Sequence, residues 1–412
     1  MGHKYFYGYN IVAASSIIQV IYLGGLFSFG VLFPEFEREF EWSRATISGA
    51  ASLFFLTFGV FGIIMGSATD RFGPKLVLTA SGTIFSLGFI LMHRMTSVFE
   101  LYFFYGFLAG LGFAAHDVST LSTVTRWFVH KRGLMSGIVK CGSGLGQAII
   151  PIITAYFVIE FGWRTSCLLI GGFSLIIILA AQFLHRDPSK LSLQPLGEGF
   201  MGDTATPRIE NNLSLRDALR KKYFLILALT KLLDMFCLLT IITHIVPYGT
   251  DHGLTSAQSV LILSAIGGFS IIGRILFGSL FDKFGTKLSL MTCFSVLLLS
   301  FITIQATEGL YFMLVFSFIY GVAHGGFFAI ASPSVADFFG TKAHGIIFGI
   351  ILFFGTLGGT AGPILAGSIF DNKGSYDIVF FILTMTALIG IGLAASLPNP
   401  INDKTNFVNT NE

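Results

Sequence analysis

Few ionisable residues of this chain stand inside its long apolar stretches, and those few define the chemistry open to it. The cations are Lys140, Lys231 and Arg274, and the acids are Asp117 and Asp234. A charge in such a stretch is costly and is a functional candidate for that reason. Arg274 keeps its proton in any protein environment, so it is a permanent cation that needs an anion. Its planar fork can meet a carboxylate through two parallel hydrogen bonds; the alternative is a structural pair with an internal Asp. Asp117 is the acid well inside the first half, either a proton carrier or the counter-ion of Lys140. Lys140 correspondingly either pairs with Asp117 or supplies a second cation for a substrate. Lys231 and Asp234, one helical turn apart, read as a local pair, with a role in transport as the alternative. His244 and His324 can donate to a carboxylate and titrate near physiological pH, or simply pack. His116 is next to Asp117 but about 100° around the helix, and reads as packing. Tyr22, with Asn10 and Gln19, either lines a cavity or bonds a neighbouring helix.

Several chemistries are excluded by what the residues lack. Gly142-Ser143-Gly144-Leu145-Gly146 looks like a phosphate cradle, but it lies in an apolar segment with no strand before it. There is no Walker motif, no Gly-x-Ser-x-Gly and no His cluster at metal-ligand spacing. The expectation is therefore a protein that is not an enzyme and has no metal or other cofactor. A net charge of +3, scattered along the chain, gives no footprint for nucleic acid. The cysteines Cys141, Cys167, Cys237 and Cys293 all fall in apolar segments and read as small fillers.

The elements that must carry these residues follow from composition. Of 412 residues, 53% are hydrophobic and 11% charged, with a mean hydropathy of +0.78. Soluble domains carry roughly 25% charged residues. So little polar surface cannot wrap so apolar a core, and the solvent must be lipid. Apolar segments at about 9–33, 45–66, 76–95, 101–125, 133–161 and 164–184 are followed by six more at 223–248, 259–280, 288–306, 310–335, 345–369 and 378–397. Each is long enough to span about 30 Å of hydrocarbon. Segment one is expected to end at Pro34, and it has no cleavage motif of a signal peptide behind it. The expected organisation is an N-terminal bundle 1–184, a cytoplasmic linker 185–222 with an amphipathic helix over 213–222, a C-terminal bundle 223–397 and a polar tail 398–412. Seventeen of the 25 Lys and Arg fall on the side of the termini and linker, and five on the other. That excess puts both termini in the cytoplasm.

The chain is also duplicated. Gly66 to Leu78 returns 212 positions later as Gly278 to Leu290, with eight of thirteen residues identical. The same offset carries Gly133, Gly137, Gly146 and Pro151 onto Gly345, Gly349, Gly358 and Pro363. The repeated turn holds Asp70 and Arg71 in one copy, Asp282 and Lys283 in the other. Two six-helix halves with this turn after helices two and eight resemble the major facilitator superfamily. Phe29-Gly30-Val31, Trp42-Ser43-Arg44, Arg126-Trp127-Phe128, Phe161-Gly162-Trp163-Arg164, His244 to Tyr248 and Gly273-Arg274 are similar to its monocarboxylate and oxalate/formate porter branch.

That resemblance implies an all-α membrane protein of twelve transmembrane helices in two pseudo-symmetric six-helix bundles. It implies Arg274 as the substrate carboxylate's partner, and Ser270 one turn earlier, where mammalian relatives place an Asp. Helix eleven carries no cation, unlike oxalate-type exchangers, which favours a single-carboxylate substrate. The expectation is a secondary transporter in the cytoplasmic membrane, working as a monomer by alternating access, that moves a lactate-like monocarboxylate with a proton. Arg274, His244, Ser270, Lys140, His324 and Tyr22 are the substrate candidates, Asp117 and His244 the proton candidates, and Asp70, Arg71, Asp282 and Lys283 the gating candidates. The alternatives are an organic-anion exchanger and, from another class, a non-transporting membrane sensor or enzyme.

Overall fold

The computed structural model describes residues 6–197, 213–305 and 309–398. Positions 198–212 of the expected linker and 399–412 of the expected tail lie outside the described residues. Among those described, ten helices are long and apolar enough to cross a bilayer. They are α1 (Gly8–Phe40), α2 (Arg44–Phe72), α3 (Pro74–Met92), α4 (Val98–Trp127), a helix from Arg132 to Ala181, α7 (Lys222–Asp251), a helix from Ser256 to Gln305, α10 (Leu310–Phe339), α11 (His344–Lys373) and α12 (Asp377–Ala395). The two unlabelled helices are broken by Gly162 (φ 76°) and Gly285 (φ 75°) into α5 (132–161) and α6 (163–181), and α8 (256–284) and α9 (286–305). Twelve spans result.

The breaks follow from the sequence repeat. Gly285 and its counterpart Gly73 (φ 87°) both follow an Asp-cation-Phe triplet and both hold a backbone conformation essentially restricted to glycine. The chain reverses there without a loop. The other end of α2 is set by Ser43, whose hydroxyl accepts from the Thr46 amide at 3.2 Å. Within α4, Tyr102–Ala109 forms eight residues of π-helix.

Two expectations are corrected. Pro34 does not end α1, which runs on to Phe40. Proline removes one backbone bond, but Phe36 beyond it is fully buried against Trp163, ring centroids 5.1 Å apart. That packing holds the extra turns. The amphipathic helix expected over 213–222 is a single turn, Leu215–Leu219, capped by the Ser214 hydroxyl on the Asp217 amide.

The helices group into two compact units. The first draws its described residues from Met1–His130, Ile138–Pro207 and Ala343–Gly349; the second from Lys131–Gly137, Arg208–Lys342 and Ile350–Glu412. The opening turns of α5 therefore belong with the second unit and those of α11 with the first. The exchanged segments are again 212 positions apart. The first unit is filled by rings such as Phe29, Phe54, Tyr105 and Phe113, and the second by Phe294, Phe327, Phe316 and Tyr320. Large apolar side chains are also turned outward, among them Ile152, Ile159, Phe99 and Tyr311, each more than 70% exposed. Water would penalise such a surface, whereas hydrocarbon does not.

Candidate functional site

Glycine sets how closely the helices approach. A Cβ at Gly142 or Gly146 of α5 would stand 2.4 or 2.2 Å from the carbonyl oxygens of Ser16 and Val20 on α1. One at Gly358 of α11 would meet the Leu232 carbonyl of α7 at 2.0 Å. Gly142 and Gly146 are thus helix-contact residues, which is why they stand in an apolar segment.

That contact brings polar side chains of α1, α4 and α5 together in the first unit. Lys140 Nζ donates to both oxygens of Asp117, at 2.8 and 3.1 Å. Gln19 Nε2 donates to Asp117 Oδ1 at 2.8 Å and to Thr120 Oγ1 at 3.0 Å. Its oxygen accepts from Ser143 Oγ at 2.7 Å. His116 Nδ1 faces the Phe113 carbonyl at 2.8 Å, which can only accept, so that nitrogen carries the proton. The other ring nitrogen stands 3.5 Å from Asp117 Oδ2, so His116 does more than pack. Tyr22 is fully buried, its hydroxyl 2.9 Å from Ser81 Oγ. Of the two readings of Lys140, the structure has the ion pair with Asp117.

The repeated turns form two equivalent clasps, one in each unit. Asp70 accepts from the backbone amides of Gly345 and Ile346 at 3.1 and 3.0 Å. Asp282 accepts from those of Gly133 and Leu134 at 2.7 and 2.9 Å. Each carboxylate satisfies free amides at the N-terminus of a helix, where the helix dipole also favours an anion. The partners are equivalent under the 212 offset, and Gly66 and Gly278 allow the approach: a Cβ would stand 2.1 Å from Gly345 O and 2.5 Å from Gly133 O. Arg71 and Lys283 do not join the clasps. They lie over the rings of Phe72 and Phe284, at 5.1 and 5.0 Å. The cation on Asp70 is Arg126, at 2.8 Å, which also reaches Asp187 at 3.6 Å. In the sequence Arg126 stands out only within Arg126-Trp127-Phe128, one of the stretches similar to the porter branch.

In the second unit Arg274 is buried in the interior of α8, 3% exposed. Two glycines press on its backbone: Gly137 against its carbonyl and Gly325 of α10 against its amide and the Ser270 carbonyl. The Ser270 hydroxyl turns back to Gly267 O at 2.6 Å, within its own helix. His324, buried on α10, lies between the rings of Tyr320 and Phe328. His244 is separate from this group, near the end of α7. Its Nε2 meets the Pro363 carbonyl at 3.1 Å and so carries a proton, while Nδ1 is 3.0 Å from the Tyr376 hydroxyl. Burial pushes the Tyr376 hydroxyl's pKa up, with the carboxylates of Asp251 and Asp371 adding to it. Tyr376 therefore keeps its proton, with its hydroxyl within hydrogen-bond distance of His244 Nδ1.

Comparison with known proteins gives a consistent result. The family model of the Major Facilitator Superfamily matches residues 15–307 and again 271–410. Monocarboxylate transporter 13 of Bos taurus is 26% identical over 399 residues, spanning 95% of this chain and 90% of its own. Monocarboxylate transporter 12 of Homo sapiens is 22% identical, over 91% of this chain and 77% of its own. The proton:xylose symporter XylE superposes with a TM-score of 0.74 at 12% identity, over 94% of each chain. FucP, solved in the outward conformation, gives 0.71 at 13% identity, over 93% of this chain and 98% of its own. These structural likenesses carry the fold.

Proposed function

Because the chain belongs to the Major Facilitator Superfamily, we propose that it is a secondary transporter of a small, lactate-like monocarboxylate, moved together with a proton by alternating access. The observation that carries the reading is Arg274, a permanent cation buried in the interior of a membrane helix. Such a position makes it a functional candidate, and the planar guanidinium fits a carboxylate on two hydrogen bonds. Relatives named monocarboxylate transporters span most of the chain and point to the same substrate class. Lys140 is engaged by Asp117 and is not assigned as a second anchor. His324 and Ser270 stand on the two helices packed at Arg274 and are assigned to shape its surroundings. Tyr22 belongs to the packed network of the first unit. The Asp70 and Asp282 clasps are assigned to stabilise one state of the transport cycle. The protein is placed in the cytoplasmic membrane, with both termini in the cytoplasm.

The deciding experiment is lactate uptake into proteoliposomes under an inward proton gradient, beside vesicles preloaded with oxalate or formate. Uptake driven by the gradient alone, rising as external pH falls and lost in Arg274→Gln, is the expected result. Uptake only into preloaded vesicles makes the protein an exchanger. Normal uptake by Arg274→Gln overturns the assignment of the anchor.

A further inference from the structure

The two sequence halves fill equivalent positions with opposite economy of hydrogen bonds. The 212 offset carries Gln19 and Tyr22 of α1 onto Lys231 and Asp234 of α7. In the first unit those positions are well partnered: Gln19 by Asp117, Thr120 and Ser143, and Tyr22 by Ser81. In the second unit the matching partners are lost. Ala329 stands for Asp117, Phe328 for His116, Leu352 for Lys140, Gly355 for Ser143 and Cys293 for Ser81; Ser332, for Thr120, keeps a hydroxyl. A salt-bridged pair has thus been placed where its surroundings offer little to satisfy it.

The geometry bears this out. Lys231 and Asp234 are 4% and 3% exposed, with Nζ 3.2 Å from Oδ2. Oδ1 of Asp234 accepts no hydrogen bond among the described residues; beyond Lys231 it has only the polarity of the Met235 amide beside it. The pair lines a small cavity, walled by Leu227, Phe327, Ala331, Ser334 and Ile351, with room for about one water molecule. Asp234 is the carboxylate of α7–α12 that stands far from a helix end. By contrast Asp117 is bonded to Lys140 through both oxygens.

The ligand such a site takes is small and positive. A metal ion is opposed by the ammonium 3.2 Å away, and the cavity offers room for about one water molecule. A proton suits both demands. It forms an O–H bond on Asp234, turns an unpartnered acceptor into a donor, and needs no electron transfer. The other titratable groups facing Asp234 are Lys231 and Cys237 on its own helix and Cys293 on α9. On α10 the Tyr320 hydroxyl is committed to Leu238 O at 2.7 Å, and His324 stands behind the Phe328 ring. The flanking residues of α11 and α12, Ile351, Gly355 and Leu383, carry no charge.

We propose that Asp234 is a proton-binding site, and that its protonation releases Lys231 as a second buried cation in the unit that holds Arg274. This deepens the proton-coupled reading given above. Neutralising Asp234 uncovers the charge of Lys231, so the protonated form binds a carboxylate more tightly. By reciprocity the carboxylate raises the affinity for the proton. Lys231 lies over the Phe328 ring at 5.1 Å, next to His324 and one turn from the Gly325 contact with Arg274. The charge change therefore arises within a few side chains of the anchor.

The test uses the purified full chain in lipid nanodiscs and infrared difference spectra on acidification. The expected result is a buried protonated-carboxyl band that persists in Asp117→Asn and disappears in Asp234→Asn. The double variant Lys231→Gln/Asp234→Asn removes both charges and so avoids an unpaired buried ammonium; the band is absent there too. A band unchanged in the double variant, or absent from the unmodified protein, overturns the site. In proteoliposomes the double variant is expected to lose gradient-driven lactate accumulation by about tenfold or more, and lactate counterflow, which moves no net proton, is expected to fall by a smaller factor. Accumulation at the unmodified level overturns the coupling. If no lactate moves in either assay with the unmodified protein, the transport reading fails while the infrared band still decides the proton site.

Discussion

A buried charge has value only through its partner, and Lys140 and Asp117 show how such a pair is tested. Removing one partner leaves the other uncompensated in a low dielectric, at a cost of about 3–5 kcal/mol, whereas replacing both with apolar groups is often neutral. Asp117→Asn is therefore expected to lower the thermal unfolding temperature of the purified protein sharply, and Asp117→Leu/Lys140→Met to recover most of it. A double variant as unstable as the single one would show that Gln19 and His116, left without Asp117, govern the loss. At Arg274 the shape of the cation matters as well as its sign. Arg274→Lys keeps the charge but loses the bidentate fork. Uptake assays on that variant are expected to show a large rise in KM, with binding through a single point charge.

At the scale of elements, glycine decides which helices touch. Gly146 has no room for a Cβ, with Val20 O 2.2 Å from where it would stand, while Gly172 of α6 has nothing within 4 Å. Gly146→Ala is accordingly expected to destabilise the protein, and Gly172→Ala to stabilise it by about 0.5–1 kcal/mol through helix propensity alone. Opposite shifts in unfolding temperature check this. The clasps make a second prediction. Hydrogen bonds to a charged group contribute roughly 1.5–3 kcal/mol, and 1.4 kcal/mol is about tenfold in an equilibrium constant. In Asp70→Asn the amides of Gly345 and Ile346 are expected to exchange hydrogen about ten- to a hundredfold faster, with Gly133 and Leu134 unchanged. Asp282→Asn should show the reverse. Exchange that rises at both helix starts in either variant would mean the two clasps open together.

For the molecule as a whole, charge distribution and lipid exposure fix what can be asked. The excess of Lys and Arg on the loops beside the termini leads to the expectation that a fluorescent fusion at the C-terminus folds in the cytoplasm and glows, and that a periplasmic reporter placed there stays inactive. The reverse pattern would invert the assigned topology. The four cysteines are free and three of them are buried, so a chain lacking them can serve as background for site-directed labelling during transport.

The sequence by itself determined the number of apolar spans, the duplication and its 212-residue offset, and the short list of charges that the spans must accommodate. These are readable because burial, helix length and repeated glycines are properties of position along the chain. It could not choose between the two roles of Lys140 or name Arg126 as the cation on Asp70. Nor could it show that α5 and α11 give their first turns to the other compact unit. Those facts rest on contacts between residues as much as 276 positions apart, and which helices become neighbours is settled only when glycine contacts and buried polar groups are satisfied together. Asp234 is the clearest case. Beside Lys231 it reads in sequence as an ordinary local pair. Only packing revealed that one of its oxygens accepts no hydrogen bond among the described residues and that the residue lines a water-sized cavity, because the side chains that close the equivalent position in the first unit have few polar counterparts there.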